Sequence, residues 1–112
     1  MTNLRALLAV AVASLALASL TASAADVEAG KKKVQEVCAA CHGIDGAQPT
    51  TPEYPKLAGQ YPDYLSKALR DYKSGARKNP IMAGMAAGLT EADIENLAAY
   101  FYTQPGVLAS KY

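Results

Sequence analysis

Cys38-Ala39-Ala40-Cys41-His42 is the run in this sequence with the most chemistry per residue. Two thiols at i and i+3 can add to the two vinyl groups of one porphyrin. The adjacent imidazole then reaches the iron from the same side. A Cys-x-x-Cys-His run therefore reads as a site of covalent haem attachment, with His42 as the proximal iron ligand. Three other chemistries use similar residues. A thioredoxin-like redox pair belongs beside a βαβ unit, which the sequence does not suggest. A structural zinc site wants four ligands, and the chain has two Cys and one His. A plain disulfide of an exported protein is the third.

Iron in such a haem has a second axial position. No other histidine is present. A methionine thioether is soft, suits haem iron and raises the reduction potential relative to two imidazoles. Met82 and Met85 are the candidates, because Met1 belongs to an N-terminal leader. The other role open to a loop methionine is to fill a gap in the core.

The elements that must position these residues read as helices and loops. A first helix is predicted over 27–39, with Asp26 as its cap and Glu28 at the positive end of its dipole. Gly30 costs that helix about 1 kcal/mol relative to alanine, which points to a close helix crossing. Residues 43–60 carry Gly43, Gly46, Pro49, Pro52, Pro55 and Gly59 and read as a long loop, as if wrapped around a ligand. A second helix fits 61–74, with Pro62 in its first turn and Gly75 past its end. Tyr64, Leu65, Ala68, Leu69 and Tyr72 share one face of it. A second loop is expected over 76–89. The last helix, 91–102, has Thr90 and Asp93 spaced as a capping box and Leu89 and Ile94 as a hydrophobic staple.

The 112 residues suffice for one domain. Arg5, an apolar run to Leu20 and the small residues Ala22-Ser23-Ala24 have the order of a secretory signal peptide. Cleavage is expected after Ala24, with Ala25 as the neighbouring option. The apolar run is shorter than the roughly 20 residues that span a bilayer. An uncleaved anchor is the other reading. Residues 1–24 would then be the signal and 25–112 the functional domain, without stable membrane insertion. The formal net charge of +1 gives no field for nucleic acid. A domain this small needs a staple, and a covalent cofactor would provide one.

With these residues in view, the sequence resembles a class I c-type cytochrome, in its small bacterial periplasmic mono-haem branch. Asp26 to Lys32 followed by the Cys38–His42 run is similar to the family's N-terminal helix, and Leu97-Ala98-Ala99-Tyr100-Phe101 to its C-terminal helix. Tyr54 to Gln60 and Ile81-Met82-Ala83-Gly84-Met85 resemble the branch that includes halves of tandem di-haem cytochromes. The resemblance implies an all-α fold of three to four helices around one covalent haem c. The terminal helices would cross, with Gly30 and Val34 meeting Leu97 and Tyr100. It implies Met82 as the second iron ligand and Met85 beside the ring. It implies Leu57, Tyr64 and Ile81 in the haem pocket, and a loop proline, taken as Pro49, whose carbonyl accepts from His42.

These readings describe a periplasmic one-electron carrier between redox proteins, with no small-molecule substrate and no catalytic residues. The alternative is a haem subunit of a periplasmic oxidoreductase, such as a flavoprotein oxidising sulfide. A gas sensor or peroxidase would need an open axial position. Docking is expected to be transient and electrostatic. The candidate groups are Lys31-Lys32-Lys33, then Lys67, Arg70, Lys73, Arg77 and Lys78, with Glu91, Asp93 and Glu95 as an acidic counterpart.

Overall fold

The structure is a computed structural model and describes residues 24–108. Nearly all of the expected signal segment lies outside them. No strand occurs among the described residues. The chain folds as a helical run built of α1 (Val27–Lys33), a π-helical segment (Val34–Cys38) and α2 (Ala39–His42), then α3 (Pro62–Ser74), α4 (Pro80–Ala87) and α5 (Glu91–Thr103). Among the described residues no helix is long and apolar enough to cross a membrane.

Asp26 caps α1 through its carboxylate, which accepts from the Ala29 N–H at 3.0 Å. Its own N–H donates to Asn96 Oδ1 at 2.7 Å, so the start of α1 is tied to α5. The two helices cross at Gly30. A Cβ there would lie 2.1 Å from the Asn96 carbonyl oxygen and 3.0 Å from Tyr100 Cβ. Val34, the next turn along, is fully buried in the same core as Leu97 and Tyr100.

The π segment has no signature in the sequence. The Ala39 N–H reaches the Val34 carbonyl, five residues back. In an unbroken α-helix, Cys38 and Cys41 would share the face of Val34 that meets α5. One extra residue per turn rotates the rest of the helical run by about 100°. The motif is thereby turned off the crossing and towards the cavity between the helices.

The expected loop over 76–89 is corrected in its second half, which forms α4. Asn79 caps it, accepting from the Ile81 and Met82 N–H groups at 3.0 Å each. Pro80 follows in the first turn, where its missing N–H costs nothing. Ala86 is fully buried and seats α4 on the core. The loop over 43–60 is irregular as expected, but it is tied down. Gly46 accepts from the Leu57 and Ala58 N–H groups, Gly59 donates to the Phe101 carbonyl, and Tyr100 donates its hydroxyl to the Ile44 carbonyl.

Candidate haem site

A cavity of about 430 Å³ opens between these elements. One wall carries Cys38, Cys41 and His42 from the end of the first helical run. Another is α3, which contributes the predicted face of Tyr64, Leu65, Ala68, Leu69 and Tyr72. Leu97 and Phe101 of α5 close the interior. Ile81, Met82 and Met85 come from α4, and Leu57 from the tied loop. The volume falls in the range of about 300–1,000 Å³ usual for cofactor sites.

His42 is buried, and its Nδ1 lies 2.9 Å from the Pro55 carbonyl oxygen. A carbonyl can only accept, so Nδ1 carries the proton. The lone pair of the neutral ring is then on Nε2, the nitrogen left for a metal. The expectation of Pro49 as the acceptor is corrected. Pro49 does not line the cavity, and the acceptor is Pro55. The fold explains the choice. The Cys41 carbonyl accepts from the Thr50 N–H, and Gly46 accepts from Leu57 and Ala58. This closes the loop so that its far limb, with Pro55, returns over the imidazole.

Both methionines reach the cavity from α4, one turn apart. They differ in burial. Met82 is half-buried and packs on the core, whereas Met85 is 45 % exposed, beside Ile81 and Tyr64 at 55 % and 53 %. Cys38 is held by burial as a protonated thiol, its pKa pushed up to about 11, with Cys41 adding to the rise and Lys33 opposing it. A thioredoxin-like pair needs the opposite shift, which comes from a helix N-terminus or neighbouring cations. Here the cysteines approach a helix C-terminus. Two thiols, an imidazole lone pair and a thioether on an apolar cavity form a donor set that fits haem attachment and ligation.

The family model for cytochrome c matches residues 27–104. The chain belongs to the cytochrome c family. In a cytochrome c the haem is held covalently, and Cys38, Cys41 and His42 form the corresponding motif. The cytochrome c4 of Stutzerimonas stutzeri is 44 % identical over 102 residues, 83 % of this chain and 48 % of that protein. The cytochrome c-554(548) of Halomonas halodenitrificans is 43 % identical over 84 residues, 72 % of this chain and 99 % of that protein. The cytochrome subunit of sulfide dehydrogenase of Chlorobaculum tepidum is 39 % identical over 64 residues, 57 % of this chain and 56 % of that protein. Among solved structures, reduced recombinant cytochrome c4 from Pseudomonas stutzeri superposes with a TM-score of 0.67 at 46 % identity, over 74 % of this chain and 47 % of that one. The chain spans about half the length of the cytochrome c4 relatives it matches.

The all-α cytochrome fold agrees with the expectation from sequence. Part of the charged set that the sequence offers for docking is paired within the chain, while Lys31, Lys32 and Lys78 are exposed and have no salt bridge among the described residues. Arg70 is paired with Glu91 and Glu95, Lys67 with Asp71, and Lys33 with Glu36 and Asp93. Lys73 donates to the Leu89 carbonyl. Sequence reasoning misses Val37, Tyr54 and Asn79 in the cavity wall. Only Asn79 carries a usable signal, as a capping residue followed by proline.

Proposed function

We propose that the chain is a mono-haem carrier of single electrons, working in the periplasm after removal of residues 1–24. The carrying observation is the placement of His42, with Nε2 free, and Met82 on one cavity with both cysteines. When bound, the haem supplies one-electron cycling of its iron between ferric and ferrous.

The chain's residues do the rest. Cys38 and Cys41 would hold the ring as thioethers. The His42 imidazole would be the proximal ligand, kept in orientation by the Pro55 carbonyl. Met82 would be the second residue to hold the iron, and the cap on α4 fixes the backbone at that residue. Two protein ligands would leave no place on the iron for O₂ or peroxide. Leu65, Leu69, Leu97 and Phe101 line the cavity and would keep water from the ring, a burial that tunes the potential. Tyr64, Ile81 and Met85 lie half-exposed on the cavity, where a partner would approach it.

The spectrum of the ferric holoprotein tests the ligand set. It should show the thioether-to-iron band near the red end, and the reduced form should bind CO poorly. Met82→Ala should abolish the band and admit CO, while Met85→Ala should keep both properties. Loss of the band in Met85→Ala alone would transfer the ligand role to Met85. The similarity to a cytochrome subunit of sulfide dehydrogenase favours a second reading, a haem subunit fixed to an oxidoreductase. Purification from the native periplasm separates the two. A carrier elutes alone, starting at Ala25, and a subunit elutes with its enzyme.

A further inference from the structure

The Pro55 carbonyl can orient His42 only if the limb of loop that carries it is itself held. That limb, 55–59, is short, so its two ends move together. Its far end is held at Ala58, which is 1 % exposed. Gly46 accepts there from the Leu57 N–H at 2.7 Å and from the Ala58 N–H at 3.1 Å. The segment that follows α5 meets the same residue. A Cβ on Gly106 would stand 2.7 Å from Ala58 Cβ and 2.8 Å from the Ala58 carbonyl oxygen. Gly106 has no positive φ, so space alone demands a glycine there.

The end of α5 makes this contact possible. The last carbonyls of a helix lack helical partners. That of Phe101 accepts from the Gly59 N–H at 2.8 Å and from the Gln104 N–H at 3.1 Å. The first bond draws the limb onto the helix end, and the second turns the chain out of the helix. Pro105 has no N–H with which to continue the helix, and Gly106 comes down on Ala58. Neither Ala58 nor Gly106 lines the cavity. Any effect they have on the imidazole must therefore pass along the limb to Pro55.

We propose that Gly106 and Ala58 are positioning residues for His42. The segment after α5 is a strap whose contact with Ala58 keeps the Pro55 carbonyl on the His42 Nδ1–H and so fixes the plane of the ring. The inference rests on His42 as an iron ligand. A ring held in one plane has little to rearrange when the iron changes charge.

The test uses the isotope-labelled holoprotein, its Gly106→Ala variant and a variant that ends at Gln104. A c-type pyridine haemochrome spectrum on each confirms attachment. Its absence from the parent protein would overturn the haem reading and this proposal with it. With attachment present, the His42 Nδ1–H resonance of the reduced protein reads the bond to Pro55 directly. In Gly106→Ala it should move upfield and exchange with solvent about tenfold faster, an effect within reach of one overpacked contact. The haem-methyl shifts of the oxidised protein, which follow the plane of the imidazole, should change with it. The variant ending at Gln104 should show the same changes, since it removes the strap without overpacking anything. It also serves where Gly106→Ala does not accumulate. Ala58→Gly on the Gly106→Ala background relieves the nearer contact and should recover part of the shift. Thr90→Ala weakens the opposite end of α5 and should leave the resonance in place. An unmoved resonance in the strap variants would overturn the proposal. So would an equal movement in Thr90→Ala, which would mark general loosening, or no recovery in the double variant.

Discussion

At Gly30 a single methyl group decides whether the terminal helices can cross. The clash would be with the Asn96 carbonyl at 2.1 Å, and backbone cannot swing aside as a side-chain tip can. Alanine there must push α1 away from α5. Overpacking of this kind costs typically about 1–3 kcal/mol, and Gly30→Ala should fall at or beyond the upper end. Gly84, inside α4, has nothing within 4 Å of the corresponding position. Gly84→Ala should therefore stabilise the protein by up to about 1 kcal/mol, the helix-propensity difference. Chemical denaturation of the two holoprotein variants checks both signs. Equal effects would mean that the crossing is more pliable than its geometry. Gly30 is legible in the sequence as a crossing point because a helix-interior glycine has a cost that something must offset. No such signal chooses among the loop prolines for His42. Pro49 and Pro55 look alike in sequence, and only the closure of the loop through Gly46 brings one of them over the ring.

At the scale of elements, legibility follows the caps. Asp26, Pro62 with Gly75, and the Thr90–Asp93 box place three helices to within a few residues, because these side chains satisfy backbone groups that the helix cannot. The helix α4 reads as loop in sequence because Gly84, Gly88 and Pro80 outweigh the Asn79 cap. Its stability is tertiary, through Ala86 and Met82 on the core. The π segment leaves no mark in residue types, since it answers to where the cysteines must face. The capping box of α5 makes stability depend on pH. The Thr90 backbone N–H donates to Asp93 Oδ2 at 2.9 Å, and the Thr90 hydroxyl accepts from the Asp93 N–H at 3.1 Å. The Thr90 backbone, then its side chain and Lys33, hold the Asp93 pKa below the ordinary 3.8, against partial desolvation. A depressed carboxylate contributes stability that is complete above its unfolded pKa and is lost as pH falls through the folded one. Asparagine keeps an acceptor but not the charge. Asp93→Asn should therefore be less stable than the parent at neutral pH, with the difference closing as pH falls through and below the ordinary aspartate value of 3.8. Thr90→Ala should cost about 1 kcal/mol, as cap removal typically does. Urea titrations across this range measure both, and a pH-independent deficit in Asp93→Asn would show that charge plays no part.

At the scale of the whole molecule, the cavity and the core are one structure. Leu65, Leu69, Leu97 and Phe101 belong to the single core cluster and also line the cavity. The ring is thus expected to complete the packing of α3, α4 and α5, and attachment should be coupled to folding. The magnitude can be bounded. At about 24 cal/mol per Å³, an unfilled space of about 430 Å³ would cost on the order of 10 kcal/mol. Water entering from the open side makes this an upper limit. Small domains have only about 5–15 kcal/mol of net stability in total. The polypeptide without its haem should therefore lack a fixed tertiary structure. Produced without haem attachment, or as the Cys38→Ala, Cys41→Ala double variant, it should show reduced helicity, bind a hydrophobic dye and melt without a sharp transition. The α1–α5 crossing should persist longest, because Gly30, Val34 and Ile94 pack away from the cavity wall. Hydrogen exchange on the haem-free chain would then protect amides of α1 and α5 above those of α3 and α4. A haem-free chain with full helicity and a cooperative melt would show instead that the helices carry the fold alone and that the ring is only a guest in it.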